Sequence, residues 1–144
     1  MDLVARRVTP PEGDQTEEIT QVIHLQGIWR ADPGRTHAER SMINTTVSYH
    51  IVSGREGAAF EGGGFVSFNE NQQKTEATGE LELAKLSPKR RLGDGQHLFD
   101  KAELKGQFKA VRDTRRMVRI LNEMRRLFGP LPRHQPPLEG SDLL

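Results

Sequence analysis

Lysine and arginine dominate the residues of this chain that could do chemistry, and they concentrate near its C-terminal end. The segment 113–130 reads DTRRMVRILNEMRRLFGP, with apolar residues threaded between the basic ones. If residues 101–128 form one helix at about 100° per residue, eight basic side chains share a single arc roughly 120° wide. These residues, which we call the basic ridge, are Lys101, Lys105, Lys109, Arg112, Arg115, Arg116, Arg119 and Arg126. Because like charges at this spacing repel one another without a partner, the ridge predicts binding to nucleic-acid phosphates or to an acidic protein surface.

The formal charges divide the chain into an acidic part and a basic part. Residues 1–84 contain 7 Lys and Arg against 13 Asp and Glu, a net of −6, and residues 85–128 contain 13 against 5, a net of +8. Residues 129–144 contribute −1, which returns the overall charge of +1. Such asymmetry indicates either a polyanionic partner or a fold whose acidic and basic parts neutralise each other.

A second pattern in the same segment concerns its apolar residues. On the helical wheel, Leu104, Phe108, Val111 and Val118 lie on one side, whereas a later group lies on almost the opposite side. The later group is Met117, Ile120, Leu121, Met124, Leu127 and Phe128. A flat sheet cannot cover both sides of a straight helix. Either the helix kinks near Asp113 and Thr114, or its second half packs on something else. Of these, we predict that the later group forms an interface with another protein subunit.

The histidines are the candidates for metal or acid–base chemistry, but their spacing supports neither. None of the five histidines falls in the spacing of a helical metal site. His24 and His50 could face the same side of neighbouring strands, but zinc would need a third ligand. His37 and Glu39 could form an acid–base pair in a loop at 35–40, although no nucleophile stands beside them. With no cysteine in the chain, we predict no catalytic residue, no metal and no cofactor.

The elements that must position these residues follow from period-two and helical patterns. We predict four strands joined as an antiparallel meander, and one long basic helix after them. The predicted strands span about 18–30, 42–52, 58–69 and 75–86, and the helix spans about 101–128, with Asp100 as its N-cap and Gly129 after its end. The fold class is therefore predicted to be α+β.

Domain organisation follows from the stretches that flank these elements. Residues 1–17 contain TPPEGD and are predicted to form an extended N-terminal arm, and residues 129–144 a Pro-rich extended tail. Residues 18–128 then form a single domain. A low mean hydropathy of −0.67, with 34% hydrophobic residues, is consistent with extended segments.

Membrane and secretion signals are lacking in the sequence. There is no run of about 18 apolar residues, and the N-terminal MDLVARRVTPPEGD lacks the apolar part of a signal peptide. We expect a cytoplasmic or virion protein that is not secreted through a signal peptide and has no membrane partner.

Three functions remain open from the sequence. The first is a non-enzymatic structural subunit of a larger assembly, for example a virion or phage-like particle, that docks on neighbouring protein subunits through its helix and termini. The second is a nucleic-acid-binding protein that uses the basic ridge. The third, a distant alternative, is a small enzyme that uses the loop at 35–40.

Overall fold

A computed structural model describes residues 1–29, 43–94 and 101–130 of the chain. These residues form six β-strands followed by one α-helix. The strands are β1 (Asp2–Thr9), β2 (Ile19–Gly27), β3 (Thr45–Ser53), β4 (Glu56–Glu70), β5 (Glu76–Leu92) and β6 (Ala102–Val111), and the helix is α1 (Thr114–Phe128). Each strand pairs antiparallel with the next, so the sheet is a meander in the order β1 to β6, curved into a half-barrel.

Alternation along the strands gives the sheet two faces of different composition. On one face, here called the apolar face, buried side chains from β1 to β5 form one cluster that includes Val47, Phe60 and Val66, and partly buried side chains of β6 pack against it. The opposite face carries α1 and is called the helix face. There Val22 and Ala59, both fully buried, form a second cluster with the helix.

The long strands β4 and β5 bend at two register shifts, one between Ala59 and Phe60 and one between Phe65 and Val66. Pro88 lies opposite Phe60 at the first shift, where the missing proline N–H interrupts a ladder that is already irregular. A Cβ added at Gly62 would overlap the carbonyl oxygen of Lys85. Close approach of β5 therefore explains Gly62 and Gly64 of the glycine run, whereas a Cβ at Gly63 would meet the Ile43 side chain.

Helix α1 has well-defined ends. The Asp113 side chain accepts a hydrogen bond from the backbone N–H of Arg116 at 2.9 Å, which is N-cap geometry. At the other end Gly129 adopts a positive φ of 73°, and its N–H donates to the Arg125 carbonyl at 2.9 Å. The predicted end of the helix is confirmed.

One side of α1 packs on the helix face. Ile120, Met124 and Phe128, spaced four residues apart, are 3–6% exposed and contact Val22 and Ala59. Burial of a large apolar side chain stabilises a fold by about 1.5–3 kcal/mol. These three contacts therefore fix which side of the helix is left facing away from the sheet.

The predicted four-stranded meander with a long helix is wrong. The sheet has six strands, and the helix has 15 residues rather than the predicted span of 101–128. Strand β1 lies within residues 1–17, which were predicted as an extended arm, and β6 occupies most of the first half of the predicted helix. The four predicted strands correspond to β2–β5. Asp100 and residues 131–144 of the predicted tail lie outside the described residues.

A spacing shared by both periodicities explains the error in the first half of the predicted helix. Leu104 and Phe108 are four residues apart, and so are Lys101, Lys105 and Lys109. Four residues complete about one helical turn, but four is also an even number, which keeps side chains on the same face of a strand. The change of sides in the apolar pattern falls close to the boundary between β6 and α1, although Val118 of the first group lies within α1.

Candidate functional site

The side of α1 that faces away from the sheet carries a row of arginines. Counted at about 100° per residue, Arg115, Arg119 and Arg126 lie opposite the midpoint of the buried residues, and we call these three the arginine face. All three are exposed. Since the apolar side of α1 is fixed against the sheet, the arginine face is held outward by the fold.

No carboxylate among the described residues pairs with the arginine face. The only acidic residue within α1 is Glu123, whose carboxylate forms an ion pair with Arg6 of β1 at 3.1 Å. Asp113, just before the helix, bonds the backbone N–H of Arg116 rather than a guanidinium. The arginine face therefore presents positive charge that no described acid pairs with.

The position of some of these arginines also costs helix stability. The first turn of α1 contains no acidic residue and begins with Thr114, Arg115 and Arg116. Cations near a helix N-terminus oppose the helix dipole, typically by about 0.3–1 kcal/mol each at low ionic strength. Arg125 and Arg126 in the last turn are favourably placed. The positive charges in the first turn therefore do not stabilise the helix, and their presence needs another reason.

The structure does not place the eight predicted ridge residues on one helix. Lys105 and Lys109 belong to β6, Lys101 precedes that strand and Arg112 follows it. Lys109 lies 3.9 Å from the Glu76 carboxylate of β5, an exposed pair that contributes little energy. Only the other four residues, Arg115, Arg116, Arg119 and Arg126, lie on α1.

The six residues predicted as a protein interface fall into two groups. Ile120, Met124 and Phe128 are buried against the sheet of the same chain and are not available to a partner. Met117 and Leu121 are half-buried, and Leu127 is 43% exposed. Only the second group remains accessible for the predicted interface.

A polar cluster lies beside α1 on the helix face. The His24 imidazole is 3.1 Å from the carboxylate of Asp2, a residue that the sequence placed in an arm. Register puts Ser48 opposite both His24 and Glu61 on the neighbouring strands. No hydrogen bond joins Ser48 to His24 among the described residues, so the cluster lacks the nucleophile–base contact of acyl-transfer catalysis.

His50, which lies diagonally across from His24, is 6% exposed, and its ring centroid lies 5.1 Å from that of Phe128 in α1. Burial, reinforced by nearby His24, lowers the pKa of His50 from 6.5 to about 4. The imidazole is therefore neutral at pH 7.

The described residues contain no group of three or more His, Asp and Glu that could hold a metal ion. The predicted acid–base pair, His37 and Glu39, lies outside the described residues.

An exposed apolar platform occupies another part of the helix face. Trp29, Ile28, Ile43 and Leu83 are each 41–47% exposed. Phe65, which is buried, contacts the Trp29 ring and pairs with Leu83 across the strands. The predicted strand 18–30 includes Trp29. Strand β2 instead ends at Gly27, so the alternation no longer applies at Trp29.

A shallow cavity of about 580 Å³ lies along β4, β5 and β6, with Phe68, Phe108 and Lys109 among its lining residues. Its polar lining includes Asn69, Glu80 and Gln107, and no histidine among the described residues lines it.

Comparison with known proteins gives no family for this chain. No protein-family model, no curated protein and no solved structure matches it. Within the described residues, no helix combines the length and apolar character needed to cross a membrane.

Proposed function

We propose that this protein is a non-enzymatic binding protein that holds the phosphate backbone of a nucleic acid on the arginine face of α1. The observation that supports the proposal is the row of Arg115, Arg119 and Arg126, exposed and without a carboxylate partner among the residues described. Arginine suits this role because its planar guanidinium binds phosphate oxygens in pairs and stays charged at every physiological pH.

The spacing of the arginine face favours a polymer over a small anion. At 1.5 Å of rise per residue, Arg115 and Arg119 are about 6 Å apart along the helix axis, and Arg115 and Arg126 about 16 Å. A single phosphate or carboxylate cannot reach all three side chains. A polyanion can contact them in succession, and each contact adds affinity through release of counterions.

Assembly with other protein subunits, the first function predicted from the sequence, keeps part of its support. Its main support was the displaced apolar side of the helix, and three of those six residues lie in the chain's own core. An acidic protein surface, including that of a second copy, could still meet the arginine face. We take this as the competing outcome of the test.

Binding of fluorescently labelled oligonucleotides, followed by anisotropy at 50 mM salt, tests the proposal. Replacing Arg115, Arg119 and Arg126 together by Gln should weaken binding by on the order of tenfold or more, because three phosphate contacts are lost. A matched control changes three exposed basic residues outside α1, Arg7, Arg55 and Lys89, to Gln. The control variant has the same net charge and should bind nearly as well as the wild type.

Two results would contradict the proposal. The first is no binding by the wild type to either single-stranded or duplex nucleic acid at low salt. The second is equal loss in both triple variants, which would indicate attraction by overall charge. If the arginine-face variant instead reduced the molar mass measured by light scattering, an acidic surface on a second copy would be the partner.

A further inference from the structure

The indole of Trp29 is an aromatic ring that is both exposed and held in place. It is 41% exposed, yet its Nε1–H donates a hydrogen bond to the Ile43 carbonyl at 3.1 Å. Its ring meets the ring of Phe65 edge to face, with centroids 6.0 Å apart and an interplanar angle of 69°. The hydrogen bond of its N–H and the contact with Phe65 thus hold the indole, and its exposed part is fixed before any partner arrives.

The residues beneath the ring are rigidly supported. Phe65 is 3% exposed, and its strand neighbour Val66 exchanges two hydrogen bonds of 2.7 Å with the side chain of buried Asn44. The backbone N–H of Ile28 donates to the Asn44 carbonyl at 2.7 Å. An aromatic ring on such a support costs little conformational entropy when a flat ligand stacks on it.

The ring lies on the face of the sheet that carries α1. Phe65, which it contacts, alternates along β4 with Val66 of the apolar face. Ala59, beneath α1, is six residues earlier on the same strand, which is about 20 Å at 3.3 Å per residue if the bends are neglected. Single-strand binding sites span about 4–16 nucleotides in small β-domains. A single-stranded nucleic acid of this length can therefore contact both the arginine face and Trp29.

Few carboxylates of the described residues lie between the two places on the helix face. The Asp2 side chain is 48% exposed and lies 3.1 Å from His24, and Glu61 is only 5% exposed. Gly63, opposite Thr46, contributes no side chain. Lys85, exposed and paired with Gly63 in register, adds one positive charge beside the path.

From this geometry we infer that the nucleic acid bound by the protein is single-stranded, and that one of its bases stacks on Trp29. The inference rests on the proposed function of the arginine face. In a duplex the bases already stack on one another inside the helix, so a side chain on a flat protein surface cannot reach their faces. In a single strand the bases are free to stack on aromatic side chains, largely without regard to sequence.

Trp29 is the only tryptophan of the chain, so intrinsic fluorescence reports on this ring alone. Titration of the full chain with a 12-nucleotide polythymidine should quench that fluorescence, with the same midpoint as the anisotropy of a labelled copy. Duplex DNA of equal length should bind more weakly and leave the fluorescence unchanged.

Variants at Trp29 are followed by anisotropy, because they lack the fluorophore. Trp29→Leu should weaken single-strand binding about five- to 150-fold, the range expected for loss of one stacked base. Trp29→Phe keeps an aromatic ring and should retain most of the affinity. The matched control is Ile28→Ala, which removes apolar surface from the same platform and should leave affinity unchanged.

Failure of this inference is distinguishable from failure of the proposed function. Salt-sensitive binding that requires the arginine face but leaves Trp29 fluorescence unchanged would overturn the stacking inference alone. Equal losses of oligonucleotide affinity in Ile28→Ala and Trp29→Leu would also overturn it. So would a shift of Trp29 fluorescence that depends on protein concentration when no oligonucleotide is present. Both results would indicate that the platform contacts another protein. Absence of any oligonucleotide binding would remove both proposals.

Discussion

Acidification should destabilise this protein through His50, the buried imidazole between β3 and α1. His50 is 6% exposed and contacts Phe128, and its pKa is lowered from 6.5 to about 4. In the unfolded chain the same imidazole titrates near 6.5. Between pH 6.5 and 4 the unfolded state therefore binds more protons than the folded state, and the free energy of unfolding falls as pH falls.

The magnitude follows from the difference between the two pKa values. Linkage with a folded pKa of about 4 and an unfolded pKa of 6.5 gives a loss of roughly 2 kcal/mol between pH 7 and pH 5, approaching about 3 kcal/mol at pH 4. A domain of this size is typically stable by about 5–15 kcal/mol. The His50 contribution is therefore large enough to measure.

Urea unfolding at pH 7, 6, 5 and 4 isolates this contribution when the wild type is compared with His50→Leu. Carboxylates titrate in both proteins and cancel in the difference, whereas only the wild type carries the buried imidazole. At pH 7 the variant should be about as stable as the wild type, because no described group hydrogen-bonds the His50 Nδ1 atom. Parallel stability curves for the two proteins across this pH range would refute the reasoning.

Three further substitutions test the packing of the fold, each by urea unfolding at pH 7. Met124→Ala should lower the free energy of unfolding by about 2–5 kcal/mol, because this α1 side chain is only 3% exposed. The exposed control Val118→Ala should change it by no more than about 0.5 kcal/mol. An equally small loss for Met124→Ala would show that α1 does not pack there. Gly62→Ala should cost about 1–3 kcal/mol or more, since the added Cβ meets the Lys85 carbonyl, and an unchanged midpoint would contradict that close approach. Asp113→Ala should lower the free energy of unfolding by about 1 kcal/mol and reduce the helical circular dichroism signal, because the N-cap is lost. A variant as stable as the wild type would rule out the cap.

The sequence locates β2–β5 because apolar side chains recur at period two along each of them, although the register shift after Leu81 in β5 leaves Leu83 exposed on the helix face. In β3 the predicted alternation is observed, with Val47 and Tyr49 in the cluster of the apolar face and His50 on the helix face. Strand β1 was missed because only Leu3 among its residues is buried, and Arg6 and Arg7 make the segment look polar. An edge strand needs less apolar surface than a central one, and its charges discourage pairing with other chains.

The candidate site was only partly accessible to sequence reasoning. The basic residues were identified, but their division between β6 and α1 depends on where the helix begins, and the N-cap that decides this is Asp113. The exposure of Trp29 could not be predicted, because it follows from the end of β2 at Gly27 and from tertiary contact with Phe65. The shift at His50 likewise arises from α1 packing over the sheet.

The salt dependence of oligonucleotide binding tests the central claim most directly. A plot of log K against log salt should have a negative slope of about 0.7 to 0.9 per phosphate contact. Replacing Arg115, Arg119 and Arg126 by Gln should flatten that slope by roughly two to three units, while the Arg7, Arg55 and Lys89 control keeps the wild-type slope. The same slope in the wild type and the arginine-face variant would contradict the claim that α1 holds the phosphate backbone.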